Sequence, residues 1–302
     1  MASDSGWTVR AVGELILEPD FVPSKLGFGG AAIGLKNYMG PYDAGSAATI
    51  DSAIAAIRHA VALGMTYFDT APSYGDGLSE RIMGEALDSL SERVFLATKV
   101  WPDSPGGARA SLETSLTNLR RSRIDLLQIH GESYSRKDVD HILQPGGLLE
   151  QMEELKRESI VDRIGFTVED MNEGTYQLIE TGRFDAIQLM YNLLVQHPYE
   201  PTRPFGALFA AKQHGMMTIT MRTATSGIFQ RWVQIVNPAN TFDYTPALIQ
   251  FVLSNRLVDV ALVGMRTVRE VESCVGIWKD ESGRIDIDAL WHRFIADQKT
   301  DS

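Results

Sequence analysis

Residues 65–75 read MTYFDTAPSYG, an apolar run that ends in Asp69 and opens into a turn carrying Tyr74. Two later runs repeat the design. RVFLATKV (93–100) delivers Lys99, and DLLQIHG (125–131) delivers His130. Each run has the length of a buried strand, and an amphipathic segment separates it from the next. In a closed parallel sheet the strand ends on one face converge on a single mouth. Four groups spread from 69 to 130 in the sequence are thereby expected at one place.

Extending outward, eight candidate strands can be read: Lys25–Gly30, Met65–Asp69, Val94–Lys99, Asp125–His130, Arg163–Thr167, Ala186–Met190, Met217–Met221 and Val258–Val263. Helical patterns fill the gaps: Asp51–Leu63, Ser79–Leu90, Gly107–Arg121, Gly147–Glu158, Met171–Thr181, Arg203–His214, Pro246–Asn255 and Val268–Trp278. Eight strand–helix units predict an α/β protein folded as a TIM (β/α)8 barrel, one domain over residues 1–302. An open dinucleotide-binding sheet is the alternative. It would place a glycine-rich phosphate turn directly before a helix. Here LGFGGAAIG (26–34) runs into the polar stretch LKNYMGPYDAGS (35–46), which reads as loop with no helix at its start. Trp7–Pro23 is expected to form an N-terminal hairpin over the barrel floor, and Ile285–Ala296 an extra C-terminal helix. Ser133–Pro145, His197–Pro204 and Phe229–Tyr244 read as long connections on the strand-end side.

Composition narrows the function classes. Hydrophobic residues make up 44% and charged residues 22%, ordinary for a globular protein. The net charge of −11 argues against non-specific nucleic-acid binding, which needs a basic surface. No run of 18 apolar residues appears, so no membrane partner is expected. The single cysteine, Cys274, excludes a disulfide framework within the chain and a Cys-rich metal site. With no signal-peptide pattern at the start, a cytoplasmic location is the expectation.

The four residues permit a definite chemistry. A tyrosine hydroxyl holds its proton at neutral pH, its reference pKa being about 10. A neighbouring ammonium stabilises the phenolate and draws that pKa down. Asp69 can keep Lys99 charged and oriented, and His130 can hydrogen-bond a carbonyl oxygen. Two donors then surround an oxygen on which negative charge develops. None of the four supplies a hydride, so a nicotinamide cofactor is implied. Taken singly, each has a plain structural role: a turn cap, a loop aromatic, a solvated lysine, a core histidine. Their arrival on successive strands is what favours catalysis.

The run FDTAPSYGDGLSERIMGEAL (68–87) resembles the signature of the aldo-keto reductases. ATKV (97–100), LLQIH (126–130), IGFT (164–167), IQLMYNLL (187–194) and LVGMRTVREVES (262–273) resemble later family segments, so the likeness covers about Lys25 to Cys274. It implies the eight-stranded barrel, a small-molecule aldehyde or ketone as substrate, and NADPH bound extended without a Rossmann domain. Tyr74 is then the proton donor, Lys99 and Asp69 tune it, and His130 orients the carbonyl. The cofactor contacts it implies are Gly29, Gly30, Thr167, Gln188, Met221, Arg222, Ala224, Ser226, Gly264, Met265 and Arg266.

Three segments depart from the family pattern. Thr167–Val168 stands in place of Ser-Asn, so Thr167 or another group must meet the carboxamide. Met221 replaces the ring that commonly stacks on nicotinamide, and Arg222 gains a place near the pyrophosphate. Ser273 and Cys274 replace an adenine-binding Glu-Asn pair. Arg266 or Arg269 is expected to meet a 2′-phosphate, which favours NADP over NAD. Trp101, Tyr38, Met39, Phe229, Trp232 and Tyr191 are candidate walls for an aromatic or hydrophobic substrate. Two other readings compete: a redox-sensing subunit that binds cofactor and turns over slowly, and a lyase or isomerase using Lys99 as a Schiff-base amine.

Overall fold

The computed structural model describes residues 21–300 apart from Ser89 and Arg203, and for 294–300 the backbone alone. Eight strands occupy the expected places: β1 (Leu26–Gly29), β2 (Tyr67–Asp69), β3 (Phe95–Val100), β4 (Ile124–Ile129), β5 (Val161–Val168), β6 (Ala186–Met190), β7 (Met217–Met221) and β8 (Val260–Val263). All pair in parallel in chain order, and β8 closes onto β1 with Phe28 beside Val263. The strands close into the expected barrel.

Side-chain alternation sorts each strand between two cores. On β2 Tyr67 points into the barrel and stacks on Phe95, with ring centroids 5.1 Å apart. Phe68, the next residue, joins the larger core between the barrel and its helices. Leu126, Ile219, Val260 and Leu262 complete the barrel floor with Tyr67 and Phe95. Each such side chain, fully buried, contributes about 1.5–3 kcal/mol of transfer free energy. The same alternation that seals the floor turns Asp69, Lys99 and Gln128 inward at the opposite end.

The expected helices appear as Ala47–Ala62, Leu78–Leu87, Gly107–Leu119, Leu148–Arg157, Glu173–Glu180, Ala207–Gln213, Thr245–Ser254 and Val268–Lys279. The last helix runs Ile287–Thr300, in the place expected for the extra C-terminal one. The hairpin expected over Trp7–Pro23 lies, but for its final residues, outside the described residues. Of those, Phe21 packs against the barrel floor beneath the Arg93 guanidinium, 4.1 Å from its ring centre.

Three short helices were not expected, two of them in segments read as loop. One turn, Ala31–Gly34, follows β1 directly. Arg136–Leu143 lies within the expected connection 133–145 and starts at a capping box formed by Ser135 and Asp138. It buries only Val139 and Ile142, too thin an apolar stripe to stand out. Ile228–Val236 starts one residue before the expected connection 229–244, fills its first half, and buries no residue at all. Its helical period has no core to answer to. Among the described residues no helix is long and apolar enough to cross a membrane.

Candidate active site

A cleft of about 610 Å³ opens at the strand ends, lined by residues from Gly29 to Cys274. At its base lies a buried ion pair. Lys99 Nζ donates to Asp69 Oδ1 at 2.7 Å and Oδ2 at 2.9 Å, and to the Thr70 carbonyl at 2.8 Å. Asp69 is 2% exposed and Lys99 1%. Burial opposes both charges, but attraction to Asp69 and Tyr74 overcomes it at Lys99, whose pKa rises and which stays an ammonium. Burial pushes the Asp69 carboxyl upward, while Lys99, Gln128 and Gln188 hold it down.

Tyr74 is anchored through its backbone. Its N–H donates to the Ala71 carbonyl and its own carbonyl accepts from the Ser79 N–H, each at 3.1 Å. Gly34 packs so closely that a Cβ there would lie 2.5 Å from that carbonyl. The Lys99 ammonium sits 4.9 Å from the centre of the Tyr74 ring. The sequence expectation was a lowered phenol pKa, and this the structure corrects. Burial and Asp69 push the hydroxyl up more than Lys99, by charge and hydrogen bond, draws it down, so the net direction is upward. Tyr74 therefore holds its proton firmly.

His130 follows β4, its N–H donating to the Val100 carbonyl at 2.8 Å. Its ring stacks on Trp101, with centroids 4.2 Å apart, and meets the Tyr74 ring edge-on at 5.9 Å. Nδ1 lies 3.3 Å from the Ser73 hydroxyl. Burial and the nearby Lys99 charge push its pKa down to about 3, so the imidazole is neutral at physiological pH. The four expected groups therefore share one rim.

Of the expected cofactor contacts, Gly29, Thr167, Gln188, Met221, Arg222, Ala224, Ser226 and Gly264 line the cleft. Gly30, Met265 and Arg266 do not. Gly30 is sealed beneath the turn, its N–H donating to the Asp69 carbonyl and its own carbonyl accepting from Ser79. Met265 is fully buried in the outer core, because alternation past β8 sends it away from the mouth. Arg266 folds back onto the loop after β1. It donates to the carbonyls of Ala32 and Tyr38, and its guanidinium covers the Tyr42 ring at 3.9 Å. Thr167 does reach the cleft, but its hydroxyl donates to the Gly131 carbonyl and accepts the Gly131 N–H. Its proton is thus spent on the loop beside His130. Among the wall candidates, Tyr38 and Met39 line the cleft, whereas Tyr191 is fully buried against Phe251 and Trp232 stands outside.

The structure adds residues that the sequence reading passed over. Gln128, fully buried, donates to Asp69 Oδ2 at 3.3 Å and to Gln188 Oε1 at 3.1 Å. Its spacing of two from His130, on the same strand face, was the available signal. Glu132, two residues further on, brings an exposed carboxylate to the cleft wall. Glu169 pairs with Arg222, whose backbone takes a left-handed φ of 56°.

The donor set suits a nicotinamide dinucleotide. Gln188 offers a buried amide at the mouth, and Gln188 Nε2 is turned toward Met221 Sδ, 3.7 Å away. Arg222 offers a half-buried cation for phosphate, and the Thr223 hydroxyl at the wall has no hydrogen-bond partner among the described residues.

The sequence profile of the aldo/keto reductase family matches residues 25–248. A methylglyoxal reductase of Escherichia coli is 44% identical over 79 residues, a match spanning 26% of this chain and only 28% of that protein. The L-galactose dehydrogenase of Arabidopsis thaliana is 26% identical over 283 residues, 83% of each chain. A solved aldo/keto reductase of Klebsiella pneumoniae, in complex with NADP and acetate, superposes with a TM-score of 0.67. It covers 89% of this chain and 90% of its own at 21% identity, a likeness of fold.

Proposed function

The chain belongs to the aldo/keto reductase family, and from that premise we propose that it reduces an aldehyde or ketone to the alcohol with NADPH, Tyr74 supplying the proton. The observation that carries this reading is the buried Lys99–Asp69 pair set against the Tyr74 ring, with a neutral His130 on the same rim. The cofactor, when bound, supplies a hydride and its electron pair to the carbonyl carbon. The carbon–oxygen π bond breaks toward oxygen, and the Tyr74 hydroxyl gives that oxygen its proton. Lys99, held charged by Asp69, stabilises the phenolate left behind. The Ser73 hydroxyl lies 3.3 Å from Nδ1; in the tautomer where it donates to that nitrogen, His130 carries its proton on Nε2 and presents it to the carbonyl oxygen. Such fixed donors are worth more in a dry cleft than in water.

Gln188 would hold the carboxamide, Met221 would flank the ring, and Arg222 with the turn through Ser226 would take the phosphates. The NADP bound to the Klebsiella neighbour supports the choice of NADPH. Trp101 is not among the residues that line the cleft, but it stacks on His130 and is 41% exposed, and it would offer an apolar face that favours aromatic or hydrophobic carbonyl compounds. Glu132 in the cleft lining disfavours anionic ones. A Schiff-base role for Lys99 needs a free amine, whereas this lysine directs its protons at three acceptor atoms.

The test is NADPH oxidation across neutral aromatic, aliphatic and sugar aldehydes, for the parent and Tyr74→Phe. The variant is expected to lose nearly all turnover while binding NADPH as the parent does. Near-normal turnover in the variant refutes Tyr74 as the acid. Tight cofactor binding with negligible turnover in the parent marks a redox-sensing subunit instead.

A further inference from the structure

Gln128 is fully buried on β4, in register with Lys99 on one side and Gly165 on the other. Its amide nitrogen spends both hydrogens across the barrel mouth, one on Asp69 Oδ2 and one on Gln188 Oε1. Its own oxygen is buried and accepts from no described residue. The side chain therefore acts purely as a donor. It completes an unbroken arc from Met221 through Gln188, Gln128 and Asp69 to Lys99, which faces the Tyr74 ring.

The two bonds have different effects. The one to Asp69 adds a neutral donor to a carboxylate whose charge burial opposes. The one to Gln188 fixes an otherwise two-fold amide. With Gln188 Oε1 turned to Gln128, Gln188 Nε2 is the end aimed toward Met221 and the cleft. A flipped Gln188 would set its carbonyl there instead and face Gln128 donor to donor.

We propose that Gln128 is a positioning residue that locks Gln188 and the Lys99–Asp69 pair into one unit, so that the cofactor's amide site and the proton-donor site are set together. This rests on the reductase reading above. It also accounts for a buried amide with an empty acceptor, since only its donors have work at this mouth.

Gln128→Met keeps the shape and removes both donors. NADP affinity, read by calorimetric titration, is expected to fall about tenfold, the scale of a lost hydrogen bond in a buried network. The turnover number should fall by a similar factor, with KM for the carbonyl substrate within about twofold. The decisive measurement is a double-mutant cycle on NADP affinity in a Gln188→Met background. There the added loss from Gln128→Met should shrink below about twofold, because Gln188 no longer has an orientation to lose. A full tenfold loss persisting in that background, or parent-like affinity in Gln128→Met alone, overturns the inference.

Gln128→Glu gives an independent readout and covers the case of a Met variant that does not fold. Only the protonated Glu can donate, so NADP affinity of Gln128→Glu, taken as a ratio to the parent's at the same pH, should recover as pH falls. A pH response identical to the parent's overturns the inference as well. A parent with no carbonyl turnover would sink the reductase reading. An active parent with an unaffected Gln128→Met sinks this inference alone.

Discussion

Replacing Asp69 by Asn isolates the energetics on which the candidate site stands. Asn keeps the size of the side chain and one acceptor but removes the charge. Lys99, 1% exposed, is left with a buried ammonium and only neutral oxygen partners, the Thr70 carbonyl and the Asn amide oxygen. Breaking a buried pair in this way costs about 3–5 kcal/mol. Unfolding entropy of about 2.1 cal/mol/K per residue puts this chain near 0.6 kcal/mol/K, so the melting temperature should fall by about 5–8 °C at neutral pH. The pH response should change as well. In the parent the Lys99 pKa lies above its unfolded value of 10.5, so its contribution is full below that pH and is lost above it. In Asp69→Asn, burial acts unopposed and the folded pKa drops below the unfolded one. The unfolded chain then binds more protons, and stability climbs with pH toward 10.5, by at most about 1.4 kcal/mol per unit. Melts followed by circular dichroism from neutral to about pH 10 should show the deficit closing. Asp69→Asn combined with Lys99→Met should recover most of the loss, since a pair replaced by neutral groups is often tolerated. A melting temperature equal to the parent's, or a deficit indifferent to pH, would refute the buried ion pair.

Other consequences are open to direct measurement. Because His130 has its pKa pushed down to about 3, it should contribute no limb to the pH–rate profile near neutrality. Its folded pKa lies below the unfolded 6.5, so the parent should lose stability relative to His130→Gln as pH falls from 6.5 toward 3; an NMR titration of His130 near 6.5 would contradict this. Glu132→Gln should raise kcat/KM for 4-carboxybenzaldehyde over benzaldehyde by about threefold at low salt, the scale of one like charge across a solvated cleft, and the gain should fade as salt rises. An unchanged ratio would remove Glu132 from the substrate wall. Gly34→Ala drives a Cβ to 2.5 Å from the Tyr74 carbonyl and should displace the acid. Turnover should fall by tenfold or more with NADP affinity kept, since about 1 Å of misplacement can cost a hundredfold; undiminished turnover would show that the contact does not set Tyr74.

The fold was legible because its signals are local. Each βα unit carries a short apolar run, a turn and an amphipathic stretch, and these survive as patterns without knowledge of their neighbours. The elements missed were those held least by the core. Arg136–Leu143 shows two buried side chains and Ile228–Val236 none. Within the site, Asp69, Tyr74, Lys99 and His130 were readable as a motif and as strand ends. Gln128 was not, because a glutamine inside an apolar run says nothing of what lies across the barrel.

What the sequence determined alone was the count and order of the units and the chemical inventory at their ends, since period and spacing are properties of one chain segment at a time. Closure of the barrel decided the rest. It put Asp69 within reach of Lys99 and Gln128, and Gln128 within reach of Gln188. It turned Met265 into the core and bent Arg266 onto the loop after β1, leaving Gly264 of the three at the cleft. It also reversed the expected direction at Tyr74, where burial outweighs the lysine. Desolvation and cross-barrel contact depend on what surrounds a group in space, and no local pattern records that.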